Sequence, residues 1–575
     1  MLSILIRVSL ILFLFTFNLL IACIGQDGSV SEIQSYPTPL SALASQSMRV
    51  GENTLVILVD FLNCAGTIPQ DSWQKYLLST NSPGMSTRDY YLEATNNSVS
   101  LVGAQENSLP NNNGVVGWYR MPFNHPCTTY DSLWQNRLGE SLPGMPWMGP
   151  NWRNSWHLSK QLAYLACQKA DSNVNFAQFD HEHYGSGTEY LGYSFVHVII
   201  VVAGYEASYS STAPRPKTWR HHWYMPGDGY KSNDYCSCWP LNGRLCVGGS
   251  VKGYGYILIG EKSLSNTIIG QGLVAHEIGH DFGLPDLYDY DKETNGYGNG
   301  LGYWCLMASA DWLGNPWGSK PGHFSAWCKI DRGWASPTVI QNAKILNAQI
   351  PSVESVPTVY KLIPYNLPSC QQYFLVENRQ KKKFDVALPG AGLIIYHVDD
   401  IMIQANRSVN HVNTRVGYTD ALHYGVDVEC QDGFPLGSID HLDSWTNGNW
   451  GDANDPWQNT PDFDTNSTPN SSVYYGSKSP VKSYVAVRNI SASGSLMTAD
   501  LITIPPGIAF TVTPSVINFG NVTVDSSKTD SITVNNNGEV TLNISSVISD
   551  NVVFSVTPTS GSVQPESSKK FYVTF

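Results

Sequence analysis

The stretch His276-Glu-Ile-Gly-His280-Asp-Phe-Gly283-Leu-Pro285-Asp286-Leu-Tyr288-Asp289 is the most informative segment of this 575-residue chain. Ile269, Leu273, His276 and His280 recur at i, i+4, i+7 and i+11, which puts them on one stripe of a helix. Asn266 or Thr267 is placed to cap that helix. Gly283 is placed to end it in the left-handed conformation, and Pro285 prevents its resumption. Two imidazoles four residues apart project from one helix face and can grip a single metal ion. Glu277 then sits beside them, within reach of a water held by the ion rather than of the ion itself.

A catalytic zinc needs three protein ligands and one open position. The next glutamates after His280 are Glu293 and Glu354, and neither suits a ligand supplied from a later helix. A sharp turn at Gly283 instead brings in Asp286, and an aspartate oxygen binds zinc at about 2.0–2.2 Å. Downstream, Met307 in Trp304-Cys-Leu-Met307 fits a methionine-bearing turn packed beneath the metal. His222 and Tyr288 are candidate donors to a developing oxyanion, on nearness to the motif and on the resemblance given below, and Asp289 and Asp291 are candidate calcium ligands beside the site, with a turn favoured by short polar residues as the plain alternative.

Upstream of the motif, Thr54–Asp60, Phe195–Val202 and Tyr254–Ile259 are continuous apolar runs of the kind that form buried strands. His197, inside the second run, reads as a core histidine, and Leu158–Asp171 has helical spacing. The Tyr254–Leu258 run is the expected sheet edge for pairing with an extended substrate. From about residue 336 to 504 short alternating runs separated by turn residues predict a β-sandwich with little helix. Asp427, Glu429, Asp432, Asp452 and Asp455 in that region are further candidate calcium ligands, with solvated loops as the plain alternative. Beyond Pro505-Pro506-Gly507 the pairs Ile517/Phe519, Val522/Val524, Ile532/Val534, Leu542/Ile544 and Phe571/Val573 alternate strictly, which predicts a small all-β unit.

The organisation expected is therefore a signal peptide over 1–25, a linker or short propeptide over 26–49, a catalytic domain over 50–335, a β-sandwich over 336–504 and an Ig-like unit over 505–575, read as truncated. Arg7 followed by the apolar run Val8–Ile21 is the export signal. Leu20-Ile21-Ala22-Cys23 offers a lipid anchor at Cys23, and cleavage after Gly25 is the alternative. No second hydrophobic stretch is long enough to span a membrane. Ten cysteines remain beyond Cys23, an even number that in an exported chain predicts disulfides; the Cys236, Cys238 and Cys246 group reads as a disulfide-pinned loop, with a metal knuckle as the alternative. A net charge of −13 argues against nucleic acid or an anionic membrane as partner.

With these residues in place, the sequence resembles the immune inhibitor A-like secreted zinc metallopeptidases over roughly residues 50–500. Besides His276–Asp289 and Trp304–Met307, the resemblance rests on Asp89-Tyr-Tyr-Leu-Glu93, Trp219-Arg-His-His-Trp223, Phe374–Arg379 and Gly392–His397. It implies an α+β zincin, metzincin-like catalytic fold and endopeptidase activity on protein substrates. It further implies one catalytic zinc on His276, His280 and Asp286, with Glu277 as general base, and structural calcium. Phe179–Gly185 departs from the family's acidic loop, and its His181 and His183 read as solvated or as holding a second metal. Residues 508–575 resemble the abnormal-spindle/hydin type of Ig-like domain. Two rival readings are a surface adhesin on an inactive zincin scaffold and a zinc hydrolase of some non-peptide bond.

Overall fold

A computed structural model describes residues 8–9, 51–80, 86–106, 113–126, 141–145, 157–176, 196–210, 212–225, 229–235, 244–248, 255–289, 299–365, 367, 371–413, 424–432, 450–459, 461–475, 479–505, 507, 509–538 and 540–575. The central sheet has seven strands among the described residues; five form its main path, β1 (Glu52–Asp60), β2 (Leu101–Gly103), β3 (His197–Glu206), β4 (His221–Trp223) and β5 (Tyr256–Lys262), in the order β2-β1-β3-β5-β4, while Val115–Arg120 adds to β1 and Lys217–Thr218 to β3. The pairs β1–β2, β1–β3 and β3–β5 are parallel, and only β4 runs antiparallel, along the edge beside β5. The three apolar runs predicted as buried strands are the three central strands, because strands covered on both faces need no polar side. The expected edge role of Tyr254–Leu258 is corrected: Tyr256, Ile257 and Leu258 pair with β3 on one side and β4 on the other. The edge belongs to His221-His-Trp223.

Alternate residues of these strands feed two cores. Val56, Leu58, Ile199, Val201, Ile257 and Ile259 face the layer containing α1 (Gln271–Asp281), the motif helix. Leu55, Ile57, Val198, Ile200 and Leu258 face the opposite layer, where the helix Leu158–Ala170 packs Leu162, Ala163 and Ala166. The period of two thus makes a helix-sheet-helix arrangement with the motif on one side.

The second unit contains a five-stranded sheet whose centre is β6 (Gln372–Arg379) and β7 (Gly392–Asp399), covered on one face by a three-stranded sheet. Phe374, Val376, Leu393 and Ile395 fill the sandwich interior. The other face, with Tyr373, Leu375, Tyr396 and Val398, joins the core of the motif helix, Trp304 and Met307. The sandwich and the catalytic unit therefore share a core along one sheet face. The little helix expected there includes α2 (Asp400–Asn406), which follows β7 directly, with the Asp399 side chain accepting from the Ile401 and Met402 amides.

The C-terminal unit has its own core of Ile517, Phe519, Ile532, Val534, Leu542, Ile544, Phe571 and Val573. Val524 departs from the predicted alternation and is 85% exposed, since it lies in a turn rather than a strand. The disulfide expectation meets five free thiols among the described residues: Cys64, Cys167, Cys305, Cys328 and Cys430. The nearest pair, Cys305 and Cys328, has its sulfurs 3.7 Å apart, beyond a covalent bond. Cys236 and Cys238 lie outside the described residues, as do His181 and His183. Among the described residues no helix is long and apolar enough to cross a membrane.

Candidate active site

The motif helix starts later than its sequence predicts. Gly270 is the N-cap and offers no side-chain cap; the Gly272 amide instead donates to the Gly318 carbonyl at 2.9 Å. Asn266 is left-handed (φ 59°) in the turn after β5 and accepts from the Tyr205 hydroxyl at 2.6 Å. The Thr267 hydroxyl pairs with that of Ser263 at 2.8 Å. Local turn chemistry claims both candidate caps before the helix begins. At the other end the prediction holds: Gly283 has φ 80°, and the Leu284 amide returns to the Gly279 carbonyl at 3.1 Å.

That turn delivers Asp286 to the two histidines. His276 Nδ1 is 2.9 Å from the Leu306 carbonyl and His280 Nδ1 is 2.8 Å from the Leu284 carbonyl. A carbonyl only accepts, so each Nδ1 carries its proton and each Nε2 turns inward. The two Nε2 atoms lie 3.1 and 3.3 Å from Asp286 Oδ1. Tetrahedral zinc with bonds of 2.0–2.1 Å spaces its ligand atoms about 3.3 Å apart, so the donor set fits such an ion. Electrostatics agree. Burial opposes charge on His280, yet Asp286 outweighs it and raises the imidazole to about 9. Burial likewise opposes charge on His276, which Asp286 raises. Burial works against the Asp286 carboxylate as well, and the two histidines hold it well below the usual range. Three buried donors that bind positive charge this firmly can take a divalent cation in place of protons.

Met307 packs directly under this helix. A methyl added to Gly279, between the two histidines, would come within 2.5 Å of the Met307 sulfur. The Leu287 amide donates to the Met307 carbonyl at 2.8 Å, so the turn also braces the strand of chain after Asp286.

Glu277 is buried and held by a group the sequence reading did not single out. Arg220 Nη1 lies 3.1 Å from Glu277 Oε1, and Nη2 lies 2.5 Å from Asp311 Oδ2. Burial opposes charge on Arg220, but Asp311 and Glu277 keep it fully protonated. Arg220 occurs in Trp219-Arg-His-His-Trp223, so its motif was visible; its partner Asp311 had no local signal. His222, a candidate oxyanion donor, points Nε2 at Asp281 Oδ1 (2.8 Å), and its ring centroid lies 5.8 Å from that of His280. Asp281 also accepts from the Gly255 amide at 3.0 Å and contacts His197 Nδ1 at 2.9 Å, so His197 is a buried core histidine anchored through Nδ1. Burial raises the Tyr288 phenol well above its ordinary value, with Asp286 adding to the effect, so it remains a protonated donor near Glu277 and Arg220.

Of the calcium candidates, Asp289 is buried and Asp291 lies outside the described residues. In the sandwich, Asp432, Asp452 and Asp455 bring carboxylate oxygens within 4.8 Å of one another. Asp427 and Glu429 do not join them: Asp427 accepts from the Val428 amide and Glu429 lies 3.6 Å from His397 Nδ1. Burial raises Asp455 to about 7, although the Asp452 amide and the Trp304 indole donate to it.

Sheet, helix, glycine turn and converging donor atoms give the first unit a geometry that fits a metallopeptidase-type domain. Residues 72–333 match the family described as immune inhibitor A peptidase M6, catalytic domain, and residues 508–575 match the ASPM-SPD-2-Hydin family. The chain is 29% identical over 257 residues to the pre-pro-metalloprotease PrtV of Vibrio cholerae serotype O1, which covers 43% of this chain and 23% of that protein. It is 35% identical over 80 residues to immune inhibitor A of Bacillus thuringiensis subsp. alesti, covering 13% of this chain and 11% of that protein. The matched region thus spans a quarter or less of these curated relatives.

Proposed function

We propose that this chain is an exported zinc endopeptidase that hydrolyses peptide bonds in protein substrates. The observation that carries the reading is the convergence of His276 Nε2, His280 Nε2 and Asp286 Oδ1, with the Glu277 carboxylate one residue away on the same helix. Zinc held there would polarise the scissile carbonyl and acidify a water beside it. Glu277 takes the proton from that water as its oxygen bonds to the carbonyl carbon, and returns it to the leaving nitrogen as the C–N bond breaks. Arg220, anchored by Asp311, fixes the Glu277 carboxylate in place. Tyr288, kept protonated by burial, and His222, held by Asp281, are the two candidate oxyanion donors. The edge strand His221–Trp223 is available to pair with an extended peptide, antiparallel strand addition being the common mode for such edges.

The antiparallel edge, the glycine turn and Met307 under the helix support the metzincin-like reading of the fold. Asp432, Asp452 and Asp455 are the best-supported candidates for structural calcium. The export signal read over residues 1–25, with or without an anchor at Cys23, supports an activity outside the cell.

The test is casein cleavage by the purified chain beside Glu277→Ala, with zinc counted in both. Cleavage by the parent, a loss of at least about a hundredfold in the variant and one zinc in each is the expected outcome. A parent that binds no zinc, or a variant that cuts as fast, overturns the reading.

A further inference from the structure

Asp286 is held in part by the second unit. Asn410 follows the short helical turn Arg407–Val409 and has left-handed backbone, φ 59°. Its Oδ1 accepts from the Asp286 amide at 2.8 Å, and its Nδ2 donates to Asp286 Oδ2 at 2.7 Å. The first bond places the Asp286 backbone. The second occupies the carboxylate oxygen turned away from the histidines and leaves Oδ1 facing both Nε2 atoms. Neighbouring residues grip the chain on either side: Arg407 Nη2 donates to the Gly283 carbonyl at 2.8 Å, and Asn413 Nδ2 donates to the Leu287 carbonyl at 3.1 Å. Arg407 is itself braced by Asp331 at 2.6 and 2.7 Å.

We propose that Asn410 is a positioning residue for the metal centre, so that the sandwich unit completes the zinc site of the catalytic unit. The inference rests on the reading that His276, His280 and Asp286 hold zinc. The asparagine amide offers an acceptor oxygen and a donor nitrogen side by side on one short planar group, as this paired contact requires. Aspartate would supply the acceptor but set a second carboxylate against Asp286. The left-handed backbone is open to asparagine and freer for glycine, so Asn410→Gly removes the amide without straining the turn. Partners that orient a metal ligand typically contribute 10–100-fold to metal affinity.

The experiment uses the full chain, stripped of metal, as parent, Asn410→Gly and Asn410→Asp. Zinc affinity is measured by competition with a chromophoric chelator, metal-free melting temperature by circular dichroism, and ligand geometry by the visible spectrum of the cobalt-substituted form. Both variants are expected to bind zinc about 10–100-fold more weakly, to shift the cobalt bands, and to melt near the parent when metal-free. Parent-like affinity in either variant overturns the proposal while leaving the zinc reading intact. Loss of the metal-free fold in both variants also overturns it, since the role would then be general packing. A parent that binds no zinc overturns the reading of the metal centre itself, and this proposal with it.

Discussion

Glu354 illustrates how a single buried group can set the pH response of a stable scaffold. It is nearly fully buried at the seam between the two units and accepts from the Gln380 amide at 2.8 Å. Burial raises its carboxyl, and the nearby Asp385 charge raises it further. A carboxyl whose folded value lies above its unfolded value binds its proton more tightly when folded. Its contribution to stability is therefore complete below the unfolded value of about 4.3 and is lost as pH rises through the folded one. Glu354→Gln keeps the shape and removes the titration. Melting temperature measured between pH 4 and 9 is expected to fall with pH more steeply in the parent than in the variant; parallel curves would show that Glu354 titrates as an ordinary carboxylate.

At the scale of elements, the helix and the methionine turn beneath it make one unit. The Met307 sulfur occupies the space where any side chain at position 279 would begin, and Phe324 lies 3.5 Å from the same point. Gly279→Ala must push the turn or the helix aside, and the two histidines flank that position on the helix. A destabilisation of about 1–3 kcal/mol is expected, as for overpacking elsewhere. Met307→Ala empties the contested space, so the double variant should be less destabilised than the sum of the singles; strict additivity in the four melting curves would deny the contact. The helix and its turn were legible in the sequence because apolar spacing, Gly283 and Pro285 act locally. So were β1, β3 and β5, whose unbroken apolar runs permit little else. Their neighbours were not: an apolar run marks a buried strand without naming the strand beside it, and His221-His-Trp223 has neither length nor alternation to mark it as an edge. Asp286 was legible through the glycine turn, whereas Arg220, Asp311 and Asn410 act across folds of the chain. The Asn410 contact to Asp286 spans 124 residues, and no periodicity encodes that distance.

At the scale of the whole molecule, the two seams differ in kind. Between the catalytic unit and the sandwich, one apolar core runs from the motif helix through Trp304 and Met307 to Leu375 and Tyr396. Fully buried Arg379 ties that seam to Asp385 at 2.7 Å, to Glu377 at 3.3 Å and to the Trp304 carbonyl at 3.0 Å. Removing one partner from such a buried set costs about 3–5 kcal/mol, so the seam cannot be cut without exposing charge and apolar surface together. The C-terminal unit keeps its own core, and its ion pair to the sandwich, Lys344 to Glu566 at 2.9 Å, involves a glutamate that is mostly exposed and contributes little. A chain ending at residue 505 is therefore expected to fold, hold zinc and melt within a few degrees of the parent. A chain ending at residue 335 would leave the motif helix's core half uncovered and would lack Asn410, and is expected to be insoluble or unable to hold zinc. Size-exclusion profile, zinc content and melting temperature of the two shortened chains decide the matter, and a folded, zinc-loaded 335-residue form would mean that the shared core is dispensable.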